Sequence, residues 1–354
     1  MIIGGGIVGL CSAYFLQKEG HKVTVLDKSD ITSGASFVNA GYITPSHIFK
    51  WSWYFHKSST KEKVALAIPL IKEINIISRE LFTSIKNSGD LGDFQLERKG
   101  LLMLYKTDNE GEHEMRVAEK ASFLGLKVSS LNKKELDLLQ PNVTMDVEGA
   151  VHYECDGHTT PTEFMIKMLD YLKRSGVIIK TNEEVIDLST ENGRITKVTT
   201  NKNIYSPEDV VLAAGSWSEN LSKKIKIKLP IQAGKGYRIN VPRPTGITIP
   251  AILMEAKVAV TPMTEYTRFA GTMEFSGIND VIRKERVEAI ANATTQFYPE
   301  IKINELEKAD AKSGLRPVSP DGLPYIGKVS AFENLTVATG HAMMGWSLGP
   351  VTGK

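Results

Sequence analysis

Cysteine is nearly absent from the 354-residue chain, which has only Cys11 and Cys155, so no disulfide framework is expected and a reducing compartment is the simpler setting. Long apolar runs are missing too. The longest, 64–71, contains Pro69 and falls far short of the roughly 20 residues of a membrane span; peripheral membrane contact is left open. Neither sign of charge dominates. With 43 Lys and Arg against 41 Asp and Glu, the net charge of +2 argues against a protein that holds nucleic acid by neutralising phosphates. Met1-Ile2-Ile3 runs directly into glycines rather than into a charged and then apolar leader, so secretion is not expected and a cytoplasmic location is. What remains, 42% hydrophobic and 24% charged residues, is ordinary for a globular protein of about two domains.

The first residues carry the clearest pattern. Ile2-Ile3 reads as a strand, the following stretch to Gly20 as a helix with Ile7, Cys11, Tyr14 and Phe15 on one face, and Lys22 to Leu26 as a second strand closing on Asp27. Between strand and helix lies Gly4-x-Gly6-x-x-Gly9, the dinucleotide fingerprint in its required context. Gly4 permits the tight turn, Gly6 lets backbone approach a pyrophosphate, Gly9 lets helix and strand pack closely, and Asp27 would bond an adenosine ribose. Nicotinamide and flavin dinucleotides both satisfy this pattern. Two further features favour FAD. Ser33-Gly34-Ala35-Ser36 and Asn39-Ala40-Gly41 offer backbone N–H groups where the flavin half of an extended FAD could lie. Gly340 to Trp346 supplies a third glycine site, at a helix start that could stabilise negative charge near flavin N1 and C2=O.

Elsewhere the pattern predicts helices from Phe49 to about Gln140, the clearest with Leu70, Ile74, Ile77 and Leu81 as its apolar stripe, interrupted by one strand from Gly100 to Tyr105. A helix over Pro161 to Arg174, a short strand at 177–180, a hairpin turning at Asn192-Gly193 and a buried parallel strand over Asp209 to Gly215 follow. After Pro230 come strands to Phe275, then a helix from Val281 to Phe297. Ser313 to Gly327, with three prolines and three glycines, reads as an irregular loop before a strand at 334–338. The fold expected is α/β plus α+β: a discontinuous Rossmann-like unit at 1–48, 141–230 and 308–354, and a substrate unit at 49–140 and 231–307.

Five ordered segments resemble one family: Gly4 to Gly9, Ser33 to Gly41, Ala213-Ala214-Gly215-Ser216-Trp217, Gly314-Leu315-Arg316-Pro317 through Gly322, and Gly340-His341-x-x-x-Gly345-Trp346. Together they are similar to the D-amino-acid oxidase superfamily of FAD amine oxidoreductases, above all to bacterial D-amino-acid dehydrogenases. The resemblance implies a substrate unit on a large antiparallel sheet and an FAD held noncovalently, since both cysteines lie away from the position that bonds flavin in sarcosine-oxidase-like members. It extends the cofactor contacts to Ile7, Val8 and Lys28, to Ser33, Ser36, Asn39 and Ala40, and to Gly41 and Tyr42 beside the flavin. Val185 is implied at the adenine, with Ala214, Gly215, Trp217, Gly314, Gly340, Met344, Gly345 and Trp346 completing the set. Arg316 occupies the place of the arginine that grips the substrate carboxylate, a role that guanidinium geometry suits. Met343 stands where glycine-oxidase-like members can have a second arginine, leaving a more apolar pocket wall.

The implied reaction is oxidative deamination of a D-amino acid to a 2-oxo acid and ammonia, with electrons passed to a quinone or to O2. Glycine, sarcosine or D-hydroxyproline is the alternative substrate set, and a dinucleotide-binding subunit without catalysis is the non-enzymatic alternative. Other features read as structural. His152-x-x-Cys155-x-x-His158 offers three metal donors without a fourth, Lys224, Lys226 and Lys228 alternate with Ile225, Ile227 and Leu229 as on an edge strand, and Trp51, Trp53, Tyr54 and Phe55 fit core or lid packing. His56 and His341 are not expected to act as acid or base. Because dehydrogenase relatives carry several dozen further residues after the segment matching Gly41 to Ile48, a lid missing between Ile48 and Phe49 is also expected.

Overall fold

The computed structural model describes residues 1–48 and 61–354 of the chain. The expected lid junction at Ile48 and Phe49, the aromatics Trp51 to Phe55, and His56 lie outside the described residues.

Strand β1 (Ile2–Ile3), helix α1 (Ile7–Lys18) and strand β2 (Thr24–Leu26) form the expected unit, with Ile7, Cys11 and Tyr14 buried. The register pairs Ile2 with Val25 and, on the other side, with Val211 of the strand Val210–Leu212. A six-stranded sheet grows outward from this centre: Tyr325–Lys328, Leu335–Thr339, Val210–Leu212, β1, β2 and Ile178–Lys180. All its pairs are parallel except the outermost, Tyr325–Lys328 with Leu335–Thr339. The chain leaves β1 toward β2 and later returns on β1's other edge, so β1 marks the point where strand order reverses. Such a point opens a crevice beyond the strands' carboxyl ends.

An eight-stranded sheet faces this unit, in the order Lys312–Val318, Gln232–Val241, Thr267–Glu274, Val258–Pro262, Ala251–Leu253, Leu101–Tyr105, Gly149–Tyr153 and Val128–Asn132. Only Ala251–Leu253 against Leu101–Tyr105 is parallel. Helix Lys284–Phe297 packs Val287, Ile290 and Phe297 into a core with Tyr237, Ile239 and Phe269 of the sheet.

Several expectations are corrected. Ser313–Gly327 is not an irregular loop, because Lys312–Val318 forms the edge strand of the large sheet and Tyr325–Lys328 that of the six-stranded one. Pro317 is tolerated there because an edge strand need not donate every N–H. The lysine alternation is not a strand: Lys224 ends helix Ser218–Lys224, Lys226 turns through φ +59°, and the chain crosses the core on Ile225, Leu229 and Ile231. Helix Lys61–Ser88 leaves Leu70 and Ile77 exposed and buries Ile71, Asn75, Ser78, Phe82 and Ile85 instead. Its polar positions have partners on the C-terminal segment, where Ser347 Oγ donates to Asn75 Oδ1 (2.8 Å) and Val351 N–H to Ser78 Oγ (3.3 Å). Strand Val128–Asn132 interrupts the region expected to be helical, and the helix expected from Val281 begins at Lys284. Gly149–Tyr153 and Lys312–Val318, placed by sequence in the dinucleotide unit, run in the large sheet.

Two glycines fix the centre of the small sheet. A Cβ on Gly9 would lie 1.9 Å from the Gly4 carbonyl oxygen, whereas one on Gly20 would meet nothing within 4 Å. Gly9→Ala should therefore cost roughly 3 kcal/mol or more, and Gly20→Ala about 1 kcal/mol for its positive φ alone, both read from urea unfolding of the apoprotein. Equal losses would show that the helix yields freely.

Candidate active site

The turns that follow β1 and Val210–Leu212 meet at the crevice. A Cβ on Gly4 would sit 2.4 Å from the Ala213 oxygen, so the two turns touch through backbone alone. Helix α1 begins there with no acidic residue in its first turn and no side-chain cap, which leaves the positive end of its dipole facing the crevice. Asp27, at the end of β2, accepts from Gly5 N–H (2.7 Å) through one oxygen and from Ser29 N–H (2.8 Å) through the other. Ser36 ties the second loop to the helix by accepting from Ile7 N–H (2.9 Å).

A cavity of about 1650 Å³ opens over these turns. Of the residues singled out from sequence, all line it except Gly9 and Gly340. Gly9 serves the packing just described, and Gly340 sits in a turn at φ +77°, where a Cβ would press on Tyr325. Lys28 and Trp217 both line the wall and touch, with the ammonium 3.8 Å from the ring centroid. Neither cysteine is among the lining residues. A cavity this long-walled, with backbone N–H groups at one strand end and small residues at 33–41, fits an extended dinucleotide.

The large sheet supplies the opposite wall. Arg316 extends from the edge strand over Gly236, where a Cβ would lie 2.1 Å from Nη1. Only glycine leaves that space. The ladder between Gln232–Val241 and Thr267–Glu274 slips between Lys235 and Tyr237, a bulge that turns Thr272 to φ +62° and brings its carbonyl to Arg316 Nη1 at 3.4 Å. A β-branched residue in that region is strained by roughly 1–3 kcal/mol, and the Thr272 hydroxyl is buried without a hydrogen-bond partner. Ala259, Ala270 and Gly271 line the wall beside it, and Met343 is 41% exposed at its rim.

His341 also lines the cavity, but burial lowers its pKa to about 4 and its Nε2 is engaged with Thr352 Oγ1 (3.0 Å). It stays neutral at physiological pH. Among the described residues no group of three or more His, Cys, Asp or Glu is placed to hold a metal; His152 and His158 instead contact the carbonyls of Lys99 and Pro262, each at 2.9 Å.

Sequence reasoning missed the supports of the 33–46 loop because each acts through contacts distant in the chain. Tyr42 OH donates to the Ala251 carbonyl (2.7 Å), and Thr261 Oγ1 to that of Ala40 (2.7 Å). Trp346 Nε1 donates to Thr159 Oγ1 (2.9 Å), while Thr159 N–H donates to the Gly41 carbonyl (2.9 Å). Asp156 accepts from the Ser46 hydroxyl and N–H, and complete burial raises its pKa to about 7 against the partial relief of those bonds.

The profile of a family described as DAO, FAD dependent oxidoreductase, matches residues 1–354. The chain belongs to that family. A D-amino acid dehydrogenase of Helicobacter pylori is 28% identical over 389 aligned positions, covering 100% of this chain and 92% of the relative. Among solved structures of the FAD dependent oxidoreductase fold, the glycine oxidase of Bacillus cereus superposes with a TM-score of 0.84 at 26% identity, covering 99% of this chain and 92% of its own. That of Geobacillus kaustophilus gives 0.86 at 24%, with 99% and 91% covered. Membership makes this chain an FAD-dependent oxidoreductase with a Rossmann-like cofactor unit. No helix among the described residues is long and apolar enough to cross a membrane.

Two expectations follow from the supports. Thr272→Gly should raise apoprotein stability by about 1 kcal/mol by releasing the strained φ; unchanged urea midpoints would show that the bulge holds no strain. Asp156 is protonated more readily folded than unfolded, so its contribution is fully present below the unfolded value and lost as pH rises through about 7. Between pH 4 and 7, Asp156→Asn should flatten the pH dependence of stability, by up to roughly 4 kcal/mol across that window.

Proposed function

We propose that this protein oxidises D-amino acids to 2-oxo acids and ammonia, passing the electrons to a quinone-like acceptor. The observation that carries this reading is the Arg316 guanidinium, held over Gly236 against the Thr272 carbonyl on the cavity wall. A forked cation in a cavity of mainly apolar and small residues suits a small carboxylate whose side chain is not strongly polar. The D-amino acid dehydrogenases among its relatives support the substrate class. Glycine oxidase, the neighbouring fold, acts on a substrate without a side chain, whereas Ala259, Ala270 and Gly271 here leave room for one.

On this reading Arg316 binds the carboxylate bidentately and so orients the α-carbon. Met343 and Met344 wall off the side chain and exclude water. His341, neutral and bonded to Thr352, takes no proton, so the substrate enters with its amine neutral and the ammonium proton is left in solvent. FAD, bound noncovalently, supplies the acceptor for the α-hydrogen and its electron pair. The imino acid released then adds water and loses ammonia. The proposed cofactor unit comprises 1–48, 141–230 and 308–354, apart from the two segments that run in the large sheet.

Arg316→Ala should raise KM by roughly 100-fold, as expected for losing a charge-assisted pair of bonds, and Arg316→Lys should recover less than about tenfold because the fork is lost. Gly236→Ala should reproduce the KM defect while retaining yellow colour. A panel of paired D and L amino acids with glycine and sarcosine, read by anaerobic bleaching, decides the substrate: bleaching by L isomers or glycine alone overturns the proposal. Reoxidation by air faster than by a soluble quinone would make the protein an oxidase.

A further inference from the structure

Arg268 is 1% exposed, on the strand Thr267–Glu274 next to the cavity wall. Its Nη1 donates to the carbonyls of Phe37 (2.9 Å) and Asn39 (2.7 Å), Nε to Asn240 Oδ1 (3.0 Å) and Nη2 to Tyr266 OH (3.1 Å). None of these four partners is a carboxylate. Burying a guanidinium whose hydrogen-bond partners carry no charge costs several kcal/mol, and burial, with a smaller contribution from the nearby Arg238 charge, lowers its pKa to about 10, so it stays charged at neutral pH. A simple tie between sheet and loop does not need that charge. Thr261, the register partner of Arg268, makes an equivalent tie to the Ala40 carbonyl with a neutral hydroxyl.

The orientation of the loop gives the charge a use. In a trans peptide the C=O and N–H point in opposite directions. Because Arg268 draws the Asn39 carbonyl toward the sheet, the Ala40 N–H of the same peptide unit is turned away from it, and Ala40 lines the cavity. Gly41 then closes the loop at φ +73°, with no room for a Cβ beneath the Thr159 carbonyl.

We propose that Arg268 is a positioning residue for the flavin: it fixes the peptide planes at 37–40 so that the Ala40 N–H faces the cofactor, and its uncompensated positive charge raises the flavin reduction potential. Two carbonyls held by Nη1 of a planar guanidinium, itself fixed through Nε and Nη2, leave the loop a single orientation, and a donor and a cation on the same side both favour the electron-rich reduced ring. The inference rests on FAD dependence and not on the substrate, so it can fail while the amino-acid reading stands.

The test uses apoprotein reconstituted with FAD, reading affinity by flavin fluorescence, potential by equilibration with redox dyes, and apoprotein stability by urea. Arg268→Met should weaken FAD at least about tenfold, equivalent to a loss of about 1.4 kcal/mol, and lower the potential. Arg268→Lys should restore much of the potential but not the affinity, since it keeps the charge and loses the fork. Asn240→Asp places a carboxylate beside the guanidinium while leaving its bonds to the loop, and should lower the potential with affinity within about threefold of wild type. Wild-type affinity and potential in both Arg268 variants would overturn the positioning role. An unchanged potential in Asn240→Asp would overturn the role of the charge, and that variant serves if Arg268→Met does not fold.

Discussion

Backbone contact at the centre of the small sheet governs where everything else can sit. Gly9 brings α1 onto the Gly4 carbonyl and Gly4 lies against Ala213, so helix start and two strand ends converge with no side chain between them. Any Cβ at these points would push the helix away and fill the space where the backbone N–H groups gather. The cavity is thus a consequence of missing atoms. Its opposite wall repeats the device, because Gly236 lacks the Cβ that would collide with the Arg316 guanidinium.

Local pattern was enough to bring together the first of these walls, but of the second it singled out Arg316, Gly314 and Met343 without the residues that hold Arg316 in place. The glycine fingerprint, Asp27 and the small residues at 33–41 are contiguous in sequence, and 22 of the 24 residues singled out as site candidates lie on the cavity. Gly236, Thr272, Arg268 and Asp156 escaped notice because their roles arise from pairings between strands far apart in the chain. Register brings Gly236, Thr272 and Arg268 to the cavity wall and its loop. The edge strand carrying Arg316 was hidden for a related reason: proline and glycine signal a loop by propensity, yet an edge position relaxes the hydrogen-bond demand that makes proline unwelcome in sheets. Helix Lys61–Ser88 misled through Asn75 and Ser78, polar residues buried on the face that apolarity assigns to solvent. Periodicity finds an amphipathic helix reliably only when its buried face is apolar.

The two sheets are not independent parts joined by a hinge of few contacts. Three carbonyls on the 37–40 segment, those of Phe37, Asn39 and Ala40, accept from Arg268 and Thr261 of the large sheet, and Tyr42 bonds the backbone of the same sheet. The loop therefore takes its shape from the substrate wall although it follows β2 in sequence. A change in the large sheet that left its own fold intact would still be felt at the loop. This coupling is local packing and needs no long pathway.

The two ends of the cavity attract negative charge by different means, and the difference suits the ligands proposed for them. At the glycine turn the attraction comes from backbone N–H groups and the start of α1, whose first turn carries no acidic residue. A resident cofactor with charge spread over a diphosphate makes many such contacts at once, so no single one need be strong. A small amino acid presents one carboxylate and few other handles, so its recognition needs a full charge in fixed planar geometry. Arg316 on an edge strand, backed by glycine and by a strained carbonyl, supplies that geometry from rigid backbone. At the diphosphate end retention would then be distributed over main chain, while discrimination for a carboxylate would rest on one side chain and the empty space beneath it.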